Sequence, residues 1–426
     1  MKNHSPGAFA GPKPGTRALC LTLALLCAQG SLAAPEEESM GKSAGYPKAP
    51  KPGLINQDPY MVGSYSGMDS TSAHCVLEPS AKPLALPKVT SEPEFRYKFE
   101  GKTLSIDDYM QHQRVTGLLV LKDGHIVAER YNYDRKPDQR MLSNSMAKTI
   151  VALAVGRAVE DGLIHSIDDT AARYVPQLAG SLYGETKLVN LLRMASGARF
   201  VQDYTPTDDR ARFNRVAQVN GYVAAARSIS DRADPEGEKF NYSNAQTVVL
   251  GLLLRAATGK SLCAYVDEKL WKPMGAASRA TWLTNKADQF EQAAGGFNAT
   301  VQDYARLGWL MARDGQRDDQ TVIPRDWLLK MTDPQLQPPA FRPGTMLNHG
   351  KTGSGYGFQT WLTPGSSRRF ALEGIHAQTI WVDPALQLVV VHTAVGKDAS
   401  GDASGTHIGA ERSALWRGIV NHYGKW

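Results

Sequence analysis

Two apolar runs, Gly117-Leu-Leu-Val-Leu-Lys and His125-Ile-Val-Ala-Glu-Arg, flank Asp123-Gly124. An Asp-Gly pair between β-rich runs predicts a hairpin, because its residues tolerate the positive φ angles of a tight turn. The period then lengthens. From Ser145 to Gly162, the residues Ile150, Val151, Leu153, Ala154 and Ala158 recur at helical spacing. Further helical patterns cover residues 188–195, 211–227, 245–258 and 300–313, and Gly197, Gly259 and Gly315 supply C-terminal stops. The last quarter reads as short strands at 358–362, 369–372, 378–382 and 388–392, then a helix over 410–422. A hairpin and a meander separated by helices predict one antiparallel sheet flanked by helices, an α+β architecture. The helical middle, about residues 165–335, forms a second lobe in this reading.

The ends of the chain follow other rules. Lys2, Lys13 and Arg17 precede the apolar run Ala18 to Ala28 and the small-residue site Ser31-Leu32-Ala33. That order predicts a secretory signal peptide over residues 1–33, cleaved after Ala33, and a periplasmic or secreted mature protein. Residues 34–94 are rich in Pro, Lys and Ser without sustained periodicity, and predict an extended or partly disordered leader. Residues 95–426 form the ordered domain.

Hydrophobic residues make up 42% of the 426 positions and charged ones 21%, as in a soluble enzyme. Loss of the signal removes three basic residues and no acidic one, so 45 basic residues against 42 acidic leave +3. That balance gives no reason to expect a nucleic-acid partner, and the apolar run is too short for stable membrane insertion. Cys75 and Cys263 stay in the mature chain, as one disulfide or as two buried thiols. The ten histidines contain no close ligand pair, so neither a metal site nor a cofactor is expected.

A serine stands three positions before a lysine twice, in Ser39-Met40-Gly41-Lys42 and Ser145-Met146-Ala147-Lys148. The first pair lies in the leader beside Glu36, Glu37 and Glu38, with no helix to hold it and no wall to desolvate its lysine. Ser145 opens a helix, where free N–H groups and the helix dipole favour an oxyanion. Lys148 shares its face, and burial against a sheet would free that amine of its proton. Tyr242 is alone among sixteen tyrosines in having Asn two residues later, as Asn244. A tyrosine beside such a pair can carry the seryl proton to a leaving group, with its pKa lowered by a neighbouring cation. Asn244 would orient Lys148 and a substrate carbonyl. Asp203, Asp208 and Asp209 read as a solvated acidic loop or as part of the cleft wall. The Gly-x-Ser-x-Gly spacing at 41–45 lies in the leader, away from any predicted strand and helix, so an α/β-hydrolase elbow is unsupported.

These motifs, together with "LLRMASGARF" at 191–200, "AAGGFNATVQDYARLGWLM" at 293–311 and "GIHAQTIWVDP" at 374–384, resemble serine hydrolases related to class C β-lactamases. Within that superfamily, which has a β-lactamase/transpeptidase-like fold, the sequence is most similar to 6-aminohexanoate-dimer hydrolases, then to family VIII esterases. The resemblance implies Ser145 as nucleophile and Lys148 and Tyr242 as general base and acid, with Asn244 in support. It also implies an oxyanion hole from Ser145 and the backbone near Gly374 and Ile375, with His376 and Gln378 on the substrate wall. The small-molecule substrate would be an amide or an ester. The alternatives are a D-aminopeptidase, carboxypeptidase or β-lactamase acting on cell-wall-type substrates, or a non-catalytic penicillin-binding-like module. Lys351-Thr352-Gly353 copies the family's third motif but follows a loop-like stretch, and the lining strand is expected over residues 370–378.

Overall fold

In the computed structural model, residues 33–346, 353–400, 405 and 407–426 are described, with positions 1, 3, 7 and 11. The chain divides into two units, Met1–Leu32 and Ala33–Trp426, and the second holds every helix and strand among the described residues. Most of the predicted signal peptide, and Lys351 and Thr352, lie outside the described residues.

The Asp-Gly hairpin forms as predicted, with β1 Val115–Lys122 and β2 His125–Tyr131. The C-terminal strands are β3 Gly355–Tyr356, β4 Trp361–Leu362, β5 Phe370–Gly374, β6 Gln378–Asp383 and β7 Leu388–Ala394. They join the hairpin in one antiparallel sheet of order β3-β4-β5-β6-β7-β1-β2. Pairing of β7 with β1, from Leu388↔Lys122 to Ala394↔Val115, closes the whole middle of the chain onto one strand edge.

This sheet is covered on both faces, which is why its central strands read as continuous apolar runs. Leu119, Leu121, Val389 and Val391 point into the larger core, and Leu118, Val120, Leu388 and Val390 point into the other. Four helices frame these layers: α1 Ala147–Glu160, α2 Asn244–Thr258, α3 Val301–Ala312 and α4 Ile408–Tyr423. Helix α3 lies against the first face, so close that a Cβ at Gly308 would come within 2.5 Å of Val389. Helix α4 covers the second face, stacking Trp416 on Trp381 with ring centroids 5.4 Å apart.

The region expected as a helical lobe is mixed. Strands Ala280–Leu283 and Phe297–Thr300 pair there, flanked by His74–Leu77 from the leader and Arg140–Leu142. Four residues each are too few for periodicity to reveal, and α3 belongs to the main sheet.

The leader expected to be extended or partly disordered is an ordered strap. It forms the short helix Met61–Tyr65 and the strand His74–Leu77, whose register pairs Cys75 with Trp282. Three kinds of contact fasten it. Cys75 and Cys263 form a disulfide. Arg114 pairs with Glu36 and Asp58, and Arg140 Nε donates to Asp69 at 2.6 Å. Met40, Tyr46, Met61, Val62 and Tyr65 pack with Tyr133 and Val395 in a separate apolar cluster.

Candidate active site

Strand Arg140–Leu142 delivers the chain to Asn144, whose φ of 45° turns it sharply into a single 3-10 turn over Asn144–Met146. Asparagine tolerates this left-handed conformation better than most residues. Helix α1 follows at once. Ser145 therefore sits in a first turn whose N–H groups lack intrahelical acceptors. Lys148, one turn on, lies on the same face with Nζ 2.8 Å from Ser145 Oγ.

The second fixed partner of Lys148 is the carbonyl of Ala294, to which Nζ donates at 2.8 Å. The side chain is 1% exposed, and burial holds its pKa well below the usual lysine range. A deprotonated amine has one lone pair, and here that lone pair can face the seryl hydroxyl while an N–H holds Ala294.

Tyr242 approaches from the run before α2, where Ser243 caps the helix by accepting from Ala245 N at 3.2 Å. Its hydroxyl lies beside the Ser145 side chain. Its ring lies 5.0 Å from Lys148 Nζ and stacks on Trp361 at 5.8 Å. Burial, then the neighbouring Tyr204 and Tyr356, raises its pKa well above the ordinary tyrosine value. This reverses the lowering expected from a cationic neighbour. A lysine held below its usual pKa supplies little field to stabilise a phenolate, and burial favours the phenol form of Tyr242.

Ser145 and Tyr242 open on a cleft of about 330 Å³, with Lys148 buried behind them. Gln202, Asp203 and Tyr204 line one side, and Trp361, Glu373, Gly374, Ile375 and Ala377 line the sheet side. Asp398 to Ser400 and Ile408, Gly409 and Arg412 close the end. Asp203 is thus on the wall, whereas Asp208 caps the helix Asp209–Arg227 by accepting from Ala211 N at 2.7 Å, and Asp209 accepts from Val201 N at 2.7 Å.

Gly374 and Ile375 lie where the oxyanion strand was expected. A Cβ on Gly374 would fall 2.5 Å from Ser143 O and 3.0 Å from Ser145 N, so only glycine lets β5 reach the nucleophile's turn. Three other expected positions differ. Asn244 does not orient Lys148: its Oδ1 accepts from Gln202 Nε2 at 3.1 Å, and Ala294 fills the orienting role. His376 is not on the wall. With φ of 58° it turns behind β5, 4% exposed, with Nδ1 2.7 Å from Gly396 O. Gln378 is also buried behind the wall, exchanging hydrogen bonds with the backbone of Ala394 at 2.6 and 3.2 Å. The turn at His376 and Ala377, both with positive φ, breaks the alternation by which a strand pattern assigns side chains to faces.

Gln202, Trp361 and Arg412 were not singled out from sequence. Arg412 Nη1 donates to Thr379 Oγ1 at 2.7 Å and its guanidinium lies 5.6 Å from the Trp381 ring. Each comes from a different distant segment, and none has a spacing signal. Ala294 did lie within the "AAGGFNAT" motif, but carbonyl groups leave no mark in residue type.

The geometry agrees with comparison to known proteins. The 6-aminohexanoate-dimer hydrolase of Paenarthrobacter ureafaciens is 26% identical over 322 residues, which cover 72% of this chain and 79% of that protein. A solved chain from Bacillus anthracis, assigned to the 6-aminohexanoate-dimer hydrolases, shares the fold with a TM-score of 0.75 at 20% identity. The match covers 88% of this chain and 98% of that one. EstCE1, a hydrolase with promiscuous acyltransferase activity, shares it with a TM-score of 0.55 at 15% identity, over 72% and 96% of the two chains. The pattern of the Beta-lactamase family matches residues 105–409, so this chain belongs to that family and is a serine hydrolase with the β-lactamase/transpeptidase-like fold.

Proposed function

We propose that this protein hydrolyses a small amide or ester through an acyl-enzyme on Ser145. Lys148 accepts the seryl proton as Oγ attacks the carbonyl carbon. Tyr242, beside Ser145, passes a proton to the departing amine or alcohol. The N–H groups of Ser145 and Ile375 receive the oxyanion, and water then releases the acid. The observation that carries this reading is the lysine: buried, its pKa lowered by desolvation, and 2.8 Å from the nucleophile. An ion-paired lysine could not take the proton. The similarity to 6-aminohexanoate-dimer hydrolase supports an amide substrate, and that to EstCE1 supports hydrolysis with acyl transfer. The basic, apolar and small-residue order of the N-terminus supports export, as does a disulfide that an oxidising compartment would preserve.

The test is intact mass after exposure to a fluorophosphonate, with nitrophenyl ester turnover measured in parallel. Wild type should gain one adduct and cleave the ester. Ser145→Ala should do neither while keeping its circular dichroism spectrum. An adduct that persists in Ser145→Ala would remove Ser145 from the reaction.

A further inference from the structure

Ser145 follows Asn144, and Ile375 follows Gly374 at the cleft edge, so the relative placement of these two backbone segments sets the oxyanion geometry. They are tied directly: Asn144 Nδ2 donates to Ile375 O at 3.1 Å. The tie continues into the strap. The Asn144 side chain lies beside the Tyr65 hydroxyl, which donates to Asn56 Oδ1 at 2.9 Å. The Tyr65 ring meets His376 edge-on at 5.7 Å and 89°. Tyr65 is 3% exposed and lines no part of the cleft.

Backbone strain gives this contact a purpose. Asn144, His376 and Ala377 have φ of 45°, 58° and 69°. Such residues are strained and persist only where their surroundings hold them. Tyr65 touches two of the three, one on each side of the cleft edge. Its own segment is anchored elsewhere, through Arg114 to Asp58 and through the cluster with Tyr133 and Val395.

We propose that Tyr65 is a positioning residue, by which the N-terminal strap clamps Asn144 and His376 and so fixes the Ser145 and Ile375 N–H groups for the transition state. The strap lies outside the part of the chain that matches the family pattern. The inference rests on the acyl-enzyme reading of Ser145.

The experiment compares Tyr65→Phe, Asn144→Gly, their double variant and Tyr46→Phe in ester turnover, with thermal unfolding recorded for each. Tyr65→Phe keeps the ring and removes only the hydroxyl. Asn144→Gly removes the amide while keeping positive φ accessible. Tyr46 sits in the same apolar cluster, and its buried hydroxyl has no hydrogen-bond partner among the described residues, so it is a matched control. The expected result is a fall in kcat of about tenfold for each of Tyr65→Phe and Asn144→Gly, the scale of one displaced oxyanion donor's partial loss. KM should move little, and the double variant should be no slower than the slower single one. Tyr46→Phe should match wild type. A wild-type kcat in Tyr65→Phe, losses that multiply in the double variant, or a change confined to KM would each overturn the proposal. Ser145→Ala separates the two levels: full turnover there removes the acyl-enzyme reading, whereas a dead Ser145→Ala with an unimpaired Tyr65→Phe removes the clamp alone.

Discussion

Lys42 and Lys148 each follow a serine by three positions, and their surroundings make them opposites. The Lys42 side chain is 45% exposed and pairs with Glu37, whose hydrogen bond raises its pKa. Ser39 Oγ donates to Glu36 O at 2.9 Å. Lys148 is buried, without a carboxylate partner among the described residues, and its pKa is lowered. A protonated amine has no lone pair to offer a seryl proton. The comparison teaches that the spacing only brings two groups within reach, and that desolvation makes one of them a base.

The sharpest way to break this contrast is to remove the buried amine. Lys148→Ala should lower kcat/KM by roughly 10³-fold, within the range of a lost general base. Lys148→Arg should not recover it, since guanidinium stays protonated. Rates near wild type in either variant would end the role of Lys148.

The pH profile sharpens the same contrast. Lys148 is active as the free amine, so kcat/KM should fall as pH drops through its lowered pKa. Tyr242 has a raised pKa and stays protonated past the ordinary tyrosine value, so no alkaline limb should appear up to about pH 10. A fall above neutrality would mean that a phenol, not an amine, carries the essential titration. A smaller effect is expected where the strap is fastened. Replacing Cys75 and Cys263 together by serine should cost about 3 kcal/mol in denaturant unfolding, while Ser145 still labels in the folded fraction. At the bottom of the scale, Ser39→Ala and Lys42→Ala should leave ester turnover unchanged, and a loss in either would merge the two pairs that the structure separates.

Much of this arrangement was legible because it is local. The hairpin, helices α1 and α2 and the adjacency of Ser145 and Lys148 follow from period, turn residues and i,i+3 geometry. The joining of Tyr242 to that pair rested on resemblance, since nothing in residue spacing brings position 242 to position 145. The pairing of Cys75 with Cys263 stayed open because their Cα separation, 6.4 Å in the fold, spans 188 residues of sequence. His376 and Gln378 looked like wall residues on a regular strand, and two left-handed residues turned them inward. The order of the strap was hidden by its composition. Its few apolar residues, Met40, Tyr46, Met61, Val62 and Tyr65, are scattered, and their burial depends on a surface built by Tyr133 and Val395.

The strap also separates two boundaries that are easily taken for one. The recognisable family pattern begins at residue 105 and ends at 409. A gene fragment trimmed to those limits would encode Cys263 without Cys75 and Ala280–Leu283 without its neighbour His74–Leu77. It would also stop two residues into α4, exposing Trp381, Val390 and the face they share. For this chain the stretch that the family pattern marks is shorter than the stretch whose contacts build the fold.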